Sequence, residues 1–283
     1  MKNITDLRIR FVGAGNMAAS LIGGLINKGL MPSQITASDP GKNQREHIEK
    51  QFQVQTFSNN TEHFGMPDVV VIAVKPQIMQ MVLESVKADF AQVNPLIISV
   101  AAGITTDQID RWTQVEGGNE AASHAIVRAM PNTPALIGQG AIGMFANAQV
   151  TDEHKHQTEQ LMDAVGTSIW VTEEVNIDAV TALSGSGPAY FFMFMEHLQQ
   201  AAEDLGLSPE NAALLTKKTA TGAALLAERS PESLRTLKDR VTSPNGTTYA
   251  ALQSFEQSAT DKTVKTALQA AFDRSIEMSK EFD

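Results

Sequence analysis

The sequence predicts an α/β protein in which residues 1–172 form a doubly wound, mostly parallel sheet and residues 173–283 are all α-helical. Three observations carry this. Apolar runs of strand length alternate with helix-like segments as far as Val171. A glycine-rich turn, Gly13-Ala14-Gly15, follows the first of those runs directly. Beyond Val171 the strand-like alternation stops and helical spacing takes over.

In the first part, Leu7 to Val12 is apolar enough for a buried strand, and Asn16 to Lys28 reads as a helix closed by Gly29. Ile35 to Ser38 is a second strand. Val69 to Val74 (VVVIAV) is a central one, followed by Leu96 to Val100 (LIISV) and Ala125 to Met130. A helix from Asp152 to Val165 starts behind Thr151 and stops at Gly166. Val115 to Ser123 reads as a loop tip remote from any chemistry. In the second part, helices are predicted over Asn176 to Leu183, Pro188 to Leu205, Pro209 to Glu228, Pro231 to Val241, Thr247 to Gln257 and Asp261 to Glu281. Ser208-Pro209 and Ser230-Pro231 each read as an N-cap followed by a first-turn proline. Tyr190 to Met195 (YFFMFM) is apolar all round, so that helix must be enclosed on every side. A helical part this small can hardly enclose it alone. The expectation is an interlocked homodimer; the alternative is the fully buried central helix of a monomer.

A chain of 283 residues that is 42% hydrophobic can bury a large core, and two domains are the natural division. The net charge of -10 argues against a nucleic-acid scaffold. The absence of cysteine excludes disulfides, thiolate metal sites and cysteine nucleophiles, and no metal site is expected. The start, MKNITDLRIRFVGAG, enters a strand without an apolar leader, and no apolar run is long enough to span a bilayer. A cytoplasmic protein is expected.

Gly13 to Ala18 (GAGNMA) fits the G-x-G-x-x-A pattern, and it lies between a strand and a helix. Glycines there allow a tight turn and the close approach of a pyrophosphate to helix amides, so a dinucleotide is expected. Gly23 and Gly24 read as packing glycines. Asp39 ends the second strand, 26 residues past Gly13, where a carboxylate can bind adenosine ribose; a simple Asp39-Pro40-Gly41 turn is at least as good a reading. Val74-Lys75-Pro76 and Ala101-Ala102-Gly103 close two strands at the carboxyl edge, where open α/β sheets bind ligands. The small residues of the second leave room for a nicotinamide ring. Met130 to Pro134 (MPNTP) is a rigid loop that puts Asn132 on the same side.

Leu237 to Leu252 (LKDRVTSPNGTTYAAL) reads as helix, tight turn, new helix, with Pro244-Asn245-Gly246 as the turn. A helix that opens on bare amides beside hydroxyls can hold a carboxylate. A capped helix corner is the plainer reading of this segment alone.

Six ordered motifs extend over nearly the whole chain: GAGNMA at 13–18, AVKP at 73–76, AAG at 101–103, MPNTP at 130–134, LSGSGPAY at 183–190 and VTSPNGTT at 241–248. In these the sequence resembles the pyrroline-5-carboxylate reductases. The resemblance implies a Rossmann domain, an α-helical dimerisation and substrate-binding domain, and reduction of 1-pyrroline-5-carboxylate to L-proline with NADPH or NADH. It also implies dimers, which in some members assemble into decamers. Carried over by motif, the cofactor contacts are Gly13, Ala14, Gly15, Asn16, Met17, Ser38, Asp39, Asn60, Val74, Lys75, Pro76, Ala101, Ala102, Gly103 and Asn132. Substrate contacts fall on Asn245, Gly246, Thr247, Thr248, Glu174 and Glu228. The amides of Gly246 and Thr247 would take the carboxylate, and the Thr248 hydroxyl, with Ser243 beside it, would serve the ring nitrogen. Two departures stand out: Asn245 replaces a glycine common in the family, and ERSPESLRTL at 228–237 is longer than usual, which blurs the position of the family's acidic contact, taken here as Glu228. A related imine or β-hydroxyacid dehydrogenase would need a lysine within Asp178 to Tyr190, and there is none. A non-catalytic NAD(P)-sensing protein would have no need of Ser243 to Thr248. The six histidines lie outside all the motifs and read as structural or surface residues.

Overall fold

The structure is a computed structural model that describes residues 3–115 and 123–282. Most of the expected loop tip, 116–122, lies outside the described residues. Spatial contacts divide the chain into two compact units, Met1–Ser186 with Ala271–Asp283, and Gly187–Ala270.

The first unit is built on an eight-stranded sheet in the order β3-β2-β1-β4-β5-β6-β7-β8. The strands are β1 (Ile9–Val12), β2 (Ile35–Ser38), β3 (Gln55–Phe57), β4 (Val69–Ile72), β5 (Leu96–Ser99), β6 (Ile126–Met130), β7 (Gly140–Ala146) and β8 (Gly166–Trp170). All pairs are parallel except β6 with β7. Every residue of β1, β4 and β5 is buried, as strands covered by helices on both faces must be. The crossover helices are α1 (Asn16–Asn27), α2 (Lys42–Phe52), α3 (Pro76–Val93), α4 (Thr106–Thr113) and α5 (Asp152–Met162). In α1, Ala18, Leu21, Ile22 and Leu25 recur at helical spacing and form the buried stripe. Leu21, Ile22 and Leu25 each contribute about 1.5–3 kcal/mol by leaving water. The helix ends where Gly29 takes φ +103°, with Leu30 N–H donating to the Leu25 carbonyl at 3.1 Å and Gly29 N–H to Ile26 at 3.0 Å. Gly23 and Gly24 are packing positions: a Cβ would stand 2.9 Å from the Phe52 ring at Gly23 and 2.6 Å from the Ala164 carbonyl at Gly24.

Three strands have no counterpart in the sequence-based reading. β3 is a three-residue edge strand, too short to show alternation. β7 and β8 pair through Gly140 and Gly166, residues that argue against a strand. Gly166 therefore opens β8 instead of stopping the preceding helix. A Cβ there would collide with the Gly140 backbone, so the glycine allows the two strands to approach.

After β8 the described elements are helical. α6 (Asn176–Val180) runs into a single wide π turn, Thr181–Gly185, where Ser186 N–H donates to the Thr181 carbonyl at 2.8 Å. The second unit holds α7 (Gly187–Asp204), α8 (Pro209–Arg229), α9 (Leu234–Arg240), α10 (Thr247–Gln257) and the start of α11 (Thr260–Lys280). α7 packs on α8, and Phe194 meets Phe255 with ring centroids 6.1 Å apart. Ser208 caps α8 as expected, accepting from Asn211 N–H at 3.3 Å. α9 differs from expectation: it begins behind Ser233, not at Pro231. The Ser230 hydroxyl accepts Glu232 N–H at 3.1 Å, a local turn that competes with helix. The YFFMFM run is not enclosed within its own chain. Phe191 is 71% exposed and Phe192 63%. Among the described residues no helix is long and apolar enough to cross a membrane.

Candidate active site

Strand register brings the cofactor motifs to one edge. Val12 pairs with both Ser38 and Ile72, Ile72 pairs with Ser99, and Ser38 pairs with Phe57. The segments that follow these residues therefore leave the sheet side by side. They contain Gly13–Met17, Asp39, Asn60, Ala73–Pro76 and Ala101–Gly103. The chain reverses its direction of winding between β1 and β4, and ligands bind in the crevice at such a switch point.

Gly13 holds φ +101°, and a Cβ on it would lie 2.5 Å from the Ala73 carbonyl, so no other residue fits. A Cβ on Gly15 would meet nothing within 4 Å. Gly15 is also the N-cap of α1 and offers no side-chain cap, which leaves the first amides of α1 facing open space. A pyrophosphate fits that arrangement. Both Asp39 oxygens serve the turn: Oδ2 accepts Ala14 N–H at 3.0 Å and Oδ1 accepts Gly41 N–H at 2.8 Å. Arg45 folds back and donates to the carbonyls of Asp39 and Pro40 at 2.7 and 2.9 Å. Of the two readings of Asp39, the turn reading accounts for its carboxylate. Ser38 is fully buried and donates to the Phe11 carbonyl at 3.3 Å, so its hydroxyl lies between strands and does not face a ligand. Asn60 is partly exposed, and its carbonyl accepts from Arg10 at 2.8 Å.

Lys75 is the exposed N-cap of α3, and Pro76 is the first helical residue, so the proline opens a helix as well as ending the strand segment. Val74 is partly exposed beside them. Ala101 is buried, Ala102 is partly exposed, and Gly103 takes φ +72°. Asn132 is a clamp: its Oδ1 accepts Ala141 N–H at 2.9 Å, and its Nδ2 donates to the Ser184 carbonyl at 3.0 Å. It thereby joins the MPNTP loop to the π turn that carries LSGSG. Both carboxylate oxygens of Glu174 have partners within the chain. Its Oε1 accepts Thr106 N–H at 2.8 Å, its Oε2 accepts the Thr106 hydroxyl at 2.9 Å, and Arg128 stands 3.6 Å away.

In the second unit the turn before α10 has the expected shape. Asn245 takes φ +59°, a conformation asparagine tolerates better than most residues. Gly246 N–H donates to the Ser243 carbonyl at 3.0 Å, so that amide closes the turn and is not free for a carboxylate, contrary to the sequence-based expectation. Gly246 is the N-cap, with no side-chain cap, so the amides of Thr247 and Thr248 begin the helix uncapped. Thr242 donates to the Lys238 carbonyl at 2.7 Å. Among the described residues the hydroxyls of Ser243, Thr247 and Thr248 make no hydrogen bond within the chain. Glu228 is exposed near the end of α8.

The fold uses several charged residues that no motif flagged. Arg10, fully buried on β1, donates to the carbonyls of Asn60, Glu62 and His63 and lies over the rings of Phe57 and Phe64. Arg128, buried on β6, pairs with Asp178 at 3.1 Å. The signal available in sequence was an arginine inside an otherwise apolar strand, which demands buried partners. His124 is structural: it is buried, Nδ1 lies 3.0 Å from Asn94 Oδ1, and burial holds its pKa below the ordinary histidine range.

A family described as pyrroline-5-carboxylate reductase dimerisation matches residues 174–278, and one described as NADP oxidoreductase coenzyme F420-dependent matches 8–103. The pyrroline-5-carboxylate reductase of Pseudomonas aeruginosa is 47% identical over 274 residues, 97% of each chain. Among solved structures, a pyrroline-5-carboxylate reductase from Coxiella burnetii superposes with a TM-score of 0.89 at 42% identity, covering 96% of this chain and 98% of that one. The Plasmodium falciparum pyrroline carboxylate reductase, solved with NADP bound, gives 0.83 at 29% identity over 98% of this chain and all of that one.

Proposed function

Because the chain belongs to the pyrroline-5-carboxylate reductase family, we propose that it reduces 1-pyrroline-5-carboxylate to L-proline with NADPH or NADH. The observation that carries this is 47% identity over 97% of both chains with a reductase of that name. The dimerisation match makes the chain a homo-oligomer. A homodimer through the helical segment is the proposed form, with decamers of dimers as a larger assembly, and the cytoplasm is the proposed compartment.

When bound, the cofactor would supply a hydride to the imine carbon, C2 of 1-pyrroline-5-carboxylate, which becomes Cδ of proline. The chain must hold both reactants so that the transfer is effectively intramolecular. On the cofactor side, the α1 amides beyond Gly13-Ala14-Gly15, with Asn16 and Met17, take the pyrophosphate. Asp39 and Asn60 border the adenosine end. Val74, Lys75, Pro76 and Ala101 to Gly103 border the nicotinamide, and Asn132 keeps the adjoining loop in place. On the substrate side, the uncapped amides of Thr247 and Thr248 bind the carboxylate, which the positive end of α10 favours. Asn245 and Gly246 shape the turn, and Glu228 is the acidic contact. The Thr248 hydroxyl hydrogen-bonds the ring nitrogen, and Ser243 orients it. The nitrogen enters protonated, so transfer to the imine carbon leaves a neutral amine and Thr248 need not act as an acid.

The test is NADPH and NADH oxidation with pyrroline-5-carboxylate beside other cyclic imines and β-keto acids. Oxidation is expected with the first. Turnover of a β-keto acid with none of pyrroline-5-carboxylate would overturn the assignment.

A further inference from the structure

Glu174 reaches 68 positions back along the chain to hold both the N–H and the hydroxyl of Thr106. Thr106 is the buried first residue of α4 and lies three residues past Gly103. The N-cap side chain serves a different amide of α4. Thr105 already caps α4, its Oγ1 accepting Gln108 N–H at 3.2 Å, and Gln108 bonds back to Thr105 N–H at 2.8 Å. The carboxylate instead costs desolvation, and its charge is matched by Arg128 at 3.6 Å. Arg128 is tied in turn to Asp178, whose Oδ1 also accepts the Ser275 hydroxyl at 2.7 Å. The loop between β5 and α4 is held at further points. Ala101 N–H donates to Ser99 Oγ at 3.3 Å, a Cβ on Gly103 would come within 3.2 Å of Met278, and Gln108 donates to the Ser279 carbonyl at 2.9 Å. A short loop of small residues is thus fixed at both ends and along one side.

We propose that Glu174 is a positioning residue: acting through Thr106, it fixes the Ala101–Gly103 loop at the height that admits the nicotinamide ring. The proposal rests on the assignment of that loop to the nicotinamide side. In this role Glu174 acts through Thr106 and needs no contact of its own with substrate or cofactor. Its effect is on the half of the dinucleotide that carries the reacting carbon.

Calorimetric titration separates this role from plain stability. NADPH is compared with 2′-phospho-ADP-ribose, and NADH with ADP-ribose, fragments that lack only the nicotinamide. Glu174→Ala is expected to weaken the whole dinucleotide about tenfold, the scale of a lost hydrogen bond to a charged group, while the fragment's Kd stays within about twofold. Glu174→Gln and Thr106→Val, milder changes should the alanine variant fold poorly, are each expected to give about threefold. The Glu174→Gln, Thr106→Val double variant is expected to show less than the product of the two, because the residues act as one contact. Parallel losses for dinucleotide and fragment, or no loss in either, would overturn the proposal. Ala102→Leu tests the underlying assignment separately, since it fills the loop's exposed side. If it selectively weakens the whole dinucleotide and the Glu174 variants do not, the positioning role alone falls. If it leaves both affinities unchanged, the loop assignment falls and the proposal with it.

Discussion

Strands β1, β4 and β5 bury every residue they contain, whereas among residues 187–270 only Gly187 and Ala212 are buried. The contrast is not one of composition. The helical unit presents Phe191, Phe192, Met193 and Phe194 in one run, with Leu214, Leu226 and Phe255 among other exposed apolar residues. A surface of that kind has the makings of a core without its second half. The sheet unit therefore completes its core from its own sequence, and the helical unit depends on another chain, in keeping with the dimerisation family that matches residues 174–278. Burial in one unit is decided by chain connectivity, and in the other by association.

The sharpest way to break that contrast is a charge on the uncovered run. Phe191→Glu should abolish the dimer in light scattering, since an unpaired carboxylate buried at an interface core costs several kcal/mol, about 2 or more. Thermal stability and activity should fall with it. A dimer that survives this change would show that α7 faces water, and the contrast would lose its explanation.

Next in size is a change in the same unit that should leave its fold alone. The Thr248 side chain is only partly buried, and among the described residues its hydroxyl makes no hydrogen bond within its own chain. Thr248→Ala should lower kcat roughly ten- to a thousand-fold, as loss of one transition-state hydrogen bond does, with little shift in Tm. Wild-type turnover in the folded variant would remove Thr248 from the mechanism.

The sheet unit offers the opposite case, a proposed site residue that builds structure. Because both Asp39 oxygens accept turn amides, Asp39→Ser should reduce kcat/KM for NADPH and NADH alike, by about three- to tenfold. A change of more than about twofold in the ratio between the two cofactors would mean that Asp39 reads the ribose after all.

The smallest effect concerns His124, in the sheet unit's interior beside Asn94, Phe90 and Asp110. Burial depresses its folded pKa, with Asp110 opposing, so the unfolded chain takes up the proton first as pH falls. Stability from the neutral imidazole is present above the unfolded value of about 6.5 and is lost as pH falls through the folded value. Between pH 7.5 and pH 5, His124→Gln should lose less Tm than the wild type. An equal loss in both would show that other groups set the acid limit.

Features under short-range chemical control are legible in the residues alone. Gly13 and Asn245 declare their turns because few residues take positive φ, and Ser208 and Thr151 declare helix starts because a hydroxyl satisfies a bare amide. Apolar runs gave β1, β2, β4, β5 and β6 and so the edge on which the cofactor motifs gather. The YFFMFM run declared a missing partner surface. The tertiary structure alone decided the rest. Gly140 and Gly166 are strand residues only because their backbones meet. The Ser38 hydroxyl turns inward because Phe11 offers a carbonyl across the ladder, and the Gly246 amide is used because the turn folds back on Ser243. Glu174 and Arg128 acquire their roles from residues 46 to 68 positions away in sequence, since a buried charge is defined by what the fold sets beside it and not by its neighbours along the chain.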